Sequence, residues 1–269
     1  MTIARIFPTK TSMSPNDPDV YFDNPFLYTP NYDEVHISVT FTWDIPRARE
    51  LAINWETKGK VKIGGCAFDD PGQEFIPGLY LKKGVVITSR GCPNHCSFCF
   101  VPKREGKIRE IEVKEGNIIQ DNNLLACSDR HINLVFDMLK NQKAIEFKGG
   151  LEKQRVTDKI AKRLSGLRIK ELWLACDQAN SLKPLEKAIK ILNKNGFNQN
   201  KIHCFVLIGN DMIENQNRLR EVYRLGAMPF AQLLRNENNQ SYTKEWKQFA
   251  RKWSRPAIIR SINKIVKGE

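Results

Sequence analysis

Three cysteines carry the chemistry most legible in this chain. They lie in Thr88-Ser-Arg-Gly-Cys92-Pro-Asn-His-Cys96-Ser-Phe-Cys99-Phe-Val-Pro102, a Cys-x3-Cys-x2-Cys array. Thiolates this close in sequence can wrap one metal centre without long-range folding, and a set of soft sulfur donors selects zinc or iron–sulfur. A structural zinc site takes four ligands, usually as two separated pairs. No second Cys-x2-Cys pair occurs in the sequence, and His95 is pinned between Cys92 and Cys96, badly placed to complete a tetrahedron. A cubane with three protein ligands suits the array better. It leaves one iron open, and open coordination separates a catalytic metal from a structural one. A metal that merely shapes a basic, nucleic-acid-binding loop is the alternative.

The array must be held by the elements around it. Gly84-Val-Val-Ile-Thr88 is an apolar, β-branched run that predicts a buried strand, so the cysteines occupy the loop leaving its carboxyl end. From Lys83 onward strand and helix signals alternate, which argues for parallel βα units. The expected strands are Ile118–Leu125, Ala144–Lys148, Glu171–Cys176, Ile202–Ile208 and Pro229–Leu234. The helices between them are expected over Asp129–Gln142, Val156–Leu167, Leu182–Asn195 and Ile213–Leu225. Six units are too few to close an eight-stranded barrel. The expected fold class is therefore α/β, a partial (β/α)6 TIM-like barrel over residues 83–236.

Before it, residues 1–32 read as an irregular arm rich in Pro, Asn and Asp. Glu34–Phe41, Ile45–Trp55 and Lys60–Gly65 then predict one βαβ unit, a Rossmann-like fragment, with Pro46 in the first turn of the helix and Asp44 as its cap. Residues 1–82 form this extension, and Asp70–Tyr80 reads as a linker. Residues 237–269 form a basic helical tail, in which Trp246, Phe249 and Trp253 recur at helical spacing and predict a packing face.

No run approaches the ~18 apolar residues that cross a bilayer. The amino terminus lacks the apolar core of a secretory signal. Seven cysteines, an odd number with three in one array, do not suit a secreted disulfide framework, so a reducing cytoplasm is expected. The formal net charge of +13 points to a polyanionic partner such as nucleic acid, although the lysines are spread over nearly every expected helix, as in a merely solvated surface.

Cys92-x3-Cys96-x2-Cys99, with the aromatic Phe98 before the last cysteine, resembles the signature of the radical S-adenosylmethionine (SAM) superfamily. That resemblance implies a 4Fe-4S cluster on Cys92, Cys96 and Cys99, with SAM chelating the open iron. It further implies reductive cleavage of SAM to methionine and a 5′-deoxyadenosyl radical that abstracts hydrogen from a substrate. A small molecule, a peptide or tRNA are all open as substrate, and an external one-electron donor of flavodoxin or ferredoxin type is implied.

For SAM itself the resemblance implies contacts at the strand ends. Lys148-Gly149-Gly150-Leu151-Glu152 is similar to the family's Gly-Gly-Glu motif, with a Leu inserted before the acid. Asp177 and Gln178 fall where ribose contacts lie. Val206-Leu-Ile-Gly209 is similar to the segment near the adenine, and Phe98 and Val101 pack on that base. Gln232 or Leu234 reach it from the sixth strand, and Arg155 and Arg235 are candidate partners of the SAM carboxylate. After the cysteines, Phe100-Val-Pro-Lys-Arg-Glu-Gly106 with Arg109 is similar to the same stretch of methylthiotransferase-like and cobalamin-type members. The Asp-x-His-x-x-Gly signature of a cobalamin ligand is absent, as are the extra three-cysteine domain and terminal β-barrel of the methylthiotransferases. Cys66, Cys127 and Cys176 fall at expected strand ends, where cysteine serves as a small apolar packing residue unless it donates hydrogen to an intermediate.

Overall fold

The computed structural model describes residues 1–69, 74–235 and 241–267. Two parallel sheets organise the chain. The first contains β1 (Ile3–Ile6), β2 (Val20–Tyr21), β3 (Glu34–Ser38) and β4 (Lys60–Gly64), with α1 (Ile45–Trp55) between the last two. Its strand order is β2-β1-β3-β4, and every pair is parallel. Ala48, Leu51, Ala52 and Trp55 fall on one stripe of α1 and pack on Ala4, Ile6, Val35 and Ile37, a core separate from that of the rest of the chain.

This corrects two sequence expectations. The amino-terminal arm is not irregular throughout, because it supplies β1 and β2; with them the expected βαβ fragment becomes a four-stranded sheet. Both strands are too short to show alternation and exist through pairing, Ile3 opposite Glu34 and Arg5 opposite Val20. Asp44 does precede α1 but makes no side-chain cap bond.

The second sheet begins with β5 (Val85–Val86). The ribbon β6 (Ser89–Arg90) and β7 (Arg109–Glu110) follows, with the short α2 (Val101–Arg104) inside its excursion. Then come β8 (Ile118–Ile119), α3 (Asp129–Lys140), β9 (Ile145–Phe147), α4 (Asp158–Ser165), β10 (Ile169–Ala175), α5 (Leu182–Lys194), β11 (Ile202–Ile208), α6 (Met212–Arg224) and β12 (Met228–Leu233). The order β12-β11-β10-β9-β8-β5 is simple chain order; every pair is parallel and the sheet is open. Parallel strands in chain order put the loops from all six carboxyl ends at one edge of the sheet. In β11, Ile202, Cys204, Val206 and Ile208 are buried while His203, Phe205 and Leu207 are half-buried, so one face packs into the core and the other is less covered.

Helix starts follow from caps. Ser128, Thr157, Asp211 and Thr243 each accept a backbone N–H of the first turn of α3, α4, α6 and α7 (Lys244–Lys252) respectively. Trp253 is fully buried, with Trp246 and Phe249 packed against the same core, so the aromatic stripe is a packing face as expected. Arg255–Lys267, read as a basic tail, is the helix α8 (Pro256–Lys267). The expected turns over Asp70–Gln73 and the polar stretch 236–240 lie outside the described residues. No helix among the described residues is long and apolar enough to cross a membrane.

Two strands are shorter than expected. The run Gly84–Thr88 pairs at Val85 and Val86, and Ile118–Leu125 pairs at Ile118 and Ile119 before a 3-10 turn at Leu124–Ala126. The polar run Asp121-Asn-Asn ends the second strand. At Gly149 the chain passes so close to the Asp121 carbonyl that a methyl group would collide with it. Gly149→Ala is therefore expected to cost about 1–3 kcal/mol in denaturant unfolding, as overpacking does. Gly166→Ala, which lacks any such collision, should stay close to wild type. Equal midpoints for the two variants would contradict this reading.

Candidate functional site

The cysteine loop is anchored from below by one buried acid. Asp121, 1 % exposed, accepts the Thr88 backbone N–H at 2.6 Å through Oδ1. Its Oδ2 accepts the Thr88 hydroxyl at 2.6 Å and the Ser89 hydroxyl at 2.7 Å. Burial pushes the Asp121 carboxyl up while these donors pull it down, and burial prevails. Next door, the Gly91 N–H donates to Asn122 Oδ1 at 2.9 Å. The β8 end thus dictates where the first strand stops and the loop departs.

Beyond that point the cysteines lie on the excursion between β6 and β7, whose register pairs Ser89 with Glu110 and Arg90 with Arg109. The Cys92 N–H donates to the Gly106 carbonyl at 3.2 Å, closing the excursion. Glu105 braces both sides of it, bound by Arg90 at 3.0 Å and Arg109 at 3.2 Å. Inside, the Cys99 N–H reaches the Cys96 carbonyl at 3.0 Å, a tight turn that keeps the last two cysteines together.

All seven cysteines are free thiols; Cys92 and Cys99 are half-buried and Cys96 is exposed. Burial raises the Cys96 thiol first, and the charges of Cys92, Asp177 and Glu152 raise it further, against Lys153. Burial likewise raises Cys99, aided by Cys96, Cys92 and Asp177. The fold therefore brings three thiols and two carboxylates from three strand ends into one electrostatic neighbourhood. Among the described residues no group of three His, Cys, Asp or Glu side chains converges closely enough to hold a metal ion, so the thiols share this neighbourhood without a common focus. Three soft sulfurs on one braced loop are a donor set of the kind that takes zinc or iron–sulfur.

The residues expected to hold SAM divide. Asn123, 4 % exposed, donates through Nδ2 to Cys92 Sγ at 3.4 Å and to Glu152 Oε2 at 2.7 Å, so the cysteine loop and the Gly-Gly turn meet through it. Asn123 Oδ1 is buried without a hydrogen-bond partner. Burial would raise Glu152, but bonds from Asn123, Asn94 and Arg155 outweigh it and hold the acid below the usual carboxylate range. Gly150 adopts φ +91° at this turn, and the Leu151 N–H donates to the Trp173 carbonyl at 2.7 Å, so the inserted Leu faces the core and leaves Glu152 at the site.

Asp177 accepts the Leu207 N–H at 3.1 Å, and burial pushes its carboxyl up. Phe98 is half-buried on the loop, whereas Gln178 is exposed and its backbone starts the turn into α5. Gly209, at φ +138°, leaves room for Tyr242, whose hydroxyl donates to the Leu234 carbonyl at 2.6 Å; this glycine has a packing reason of its own. Arg155 pairs with Glu152 at 2.7 Å, and Arg235 stacks on Trp43 with 3.9 Å to the ring centre, so each candidate carboxylate partner already has a contact. Gln232 is exposed and Leu234 half-buried. Cys127 and Cys176 are buried, and Cys66 is exposed beside the other sheet.

Sequence reasoning missed Asp121, Asn123, Lys153 and Arg218. The first two stood inside an expected strand, where three consecutive polar residues were the available signal. Arg218, 6 % exposed, donates to the Asp177 and Leu207 carbonyls, each at 2.8 Å, and so locks the ends of β10 and β11 together.

Two outcomes follow. Asp121→Ala strands three buried donors and should destabilise on the order of 3 kcal/mol in urea unfolding; wild-type stability would contradict the anchoring role. Burial pushes Cys127 and Cys176 up to about 11, so at pH 8 about one thiol in a thousand is ionised at either position. Iodoacetamide on the folded, metal-free protein should therefore label Cys96 well before Cys127 or Cys176, read by peptide mass spectrometry. Comparable labelling of all three would refute the burial argument. In comparisons with known proteins, no protein-family model and no curated protein matches this chain.

Proposed function

We propose that this chain is a radical SAM enzyme that abstracts hydrogen from an organic substrate. The reading takes the open parallel sheet as a partial (β/α)6 barrel and Cys92, Cys96 and Cys99 as the three ligands of a 4Fe-4S cluster. The observation that carries it is the Asn123 bridge, which ties Cys92 to Glu152 and so joins the metal-ligand loop to the turn expected to meet SAM.

Cys92, Cys96 and Cys99 would hold the cluster, which would supply the single electron for reductive cleavage of SAM. The protein's own part is positioning and charge. Glu152 is held ionised by Asn123, Asn94 and Arg155, which suits an acceptor for an ammonium group. The acids Glu152 and Asp177 make the neighbourhood acidic, answered by Lys153, and the cysteines would add negative charge as thiolates on a bound metal. A sulfonium and an ammonium are well matched to it. Gly149 is taken up by its close approach to the Asp121 carbonyl, whereas the backbone at Gly150 has open space where a side chain would stand and leaves room for a ligand. Asp177 at the end of β10 is the acid nearest in role to a ribose contact. The electron comes from an external donor of flavodoxin or ferredoxin type, and a reducing cytoplasm is the compartment this chemistry needs.

Anaerobic reconstitution with iron and sulfide tests the reading. With SAM and dithionite the wild type should release 5′-deoxyadenosine and the Cys92→Ala/Cys96→Ala/Cys99→Ala variant should release none above background. Glu152→Gln should lower the yield about tenfold, the effect of one lost charge-assisted bond. Equal release by wild type and the triple variant would remove the assignment. Absence of release from an iron-loaded protein that binds RNA with steep salt dependence would favour the metal-stabilised nucleic-acid module instead.

A further inference from the structure

We propose that the carboxyl edge of the first sheet is a second ligand site, for an uncharged nucleoside-like molecule: a flat aromatic ring carrying a hydroxylated sugar or polyol. The strand order β2-β1-β3-β4 reverses direction between β1 and β3. In open parallel sheets ligands bind beyond the carboxyl ends of the strands at such a switch point.

The recess between the ends of β1 and β3 opens beside that point into a cavity of about 420 Å³, between the ends of β3 and β4 and the segment Glu74–Leu81. That size falls within the range of small-molecule sites. Its wall is mostly apolar, and Ile63, Ile76 and Tyr80 are 39 %, 51 % and 37 % exposed, large apolar surfaces left uncovered inside a concavity. The Tyr80 ring stacks on His36 with 6.0 Å between centres, offering a flat face. This broad end suits an aromatic ring.

The narrower recess continues from it and shares Ser38, Thr40, Tyr80 and Leu81. It adds Thr9, Thr11 and Ser14 from the loop after β1, and Asp44 at the head of α1. At about 20 Å³ the recess admits a single hydroxyl of a sugar or polyol whose body lies in the broad cavity, and its hydroxyls and one carboxylate are the partners that hydroxyl needs. Asp44 makes no cap bond to its helix, so its carboxylate is not committed to the α1 backbone.

The charges argue for a ligand without phosphate. Lys62 is held by Glu34 at 2.6 Å and Arg90 by Glu105 at 3.0 Å, so the two cations of the broad wall are already neutralised. Asp44 repels an anion from the narrow end. The site does not depend on the cysteine loop, although Arg90 belongs to both surroundings.

Isothermal titration of the full-length, metal-free protein tests this with adenosine, guanosine, cytidine and riboflavin, each separately. At least one should bind one-to-one. Ile76→Trp, which fills the broad end from a half-exposed position, should weaken that ligand about tenfold or more, and Asp44→Ala about tenfold, the effect of one lost hydrogen bond to a charged group. The 5′-phosphate of the same ligand should bind more weakly. The Cys92→Ala/Cys96→Ala/Cys99→Ala variant should bind as wild type does, which separates this site from any occupied by SAM. The proposal is overturned if none of the four binds, if Ile76→Trp and Asp44→Ala both bind as wild type does, if the phosphate binds more tightly, or if hydroxocobalamin displaces the ligand from the Ile76-lined cavity.

Discussion

One buried carboxylate determines where the chemistry-bearing loop begins. Asp121 takes the backbone and hydroxyl of Thr88 and the hydroxyl of Ser89, three donors that would otherwise be stranded in the core. Removing such an acceptor from a buried place costs far more than the net worth of its bonds. The strand before it is two residues long and cannot fix the loop alone. Asp121 also passes against Gly149, so the same short segment sets the distance between the cysteine loop and the Gly-Gly turn.

From that constraint the rest of the site follows in layers. Asn122 and Asn123, the next two residues, hold Gly91 and Cys92. Asn123 hands the geometry on to Glu152, and Arg218 locks the next two strand ends beside Asp177. Parallel strands in chain order make this economical, because successive loops are spatial neighbours. What assembles is a thiol-rich and acidic edge under Lys153.

The sequence was most legible where the signal is local and repeated. β11 follows strict alternation and matches its expected bounds, and α1 spans its expected Ile45–Trp55 with Pro46 in the first turn. The cysteines were visible because their spacing is itself the chemistry. Less was legible where structure depends on distant partners. β1 and β2 are too brief to alternate and form through pairing with β3 and with each other. Asp121 and Asn123 act through atoms about thirty positions away, which no local pattern encodes. Gly209 illustrates the opposite error, since its freedom serves Tyr242 as well as any ligand.

The central claim is that a cubane held by three sulfurs keeps one iron for SAM. Electron paramagnetic resonance of the anaerobically reconstituted, reduced protein tests it most directly. The account predicts an iron–sulfur signal whose g-values move when SAM is added, and no signal in the Cys92→Ala/Cys96→Ala/Cys99→Ala variant. A signal indifferent to SAM, or a protein that retains zinc and takes up no iron, would contradict it.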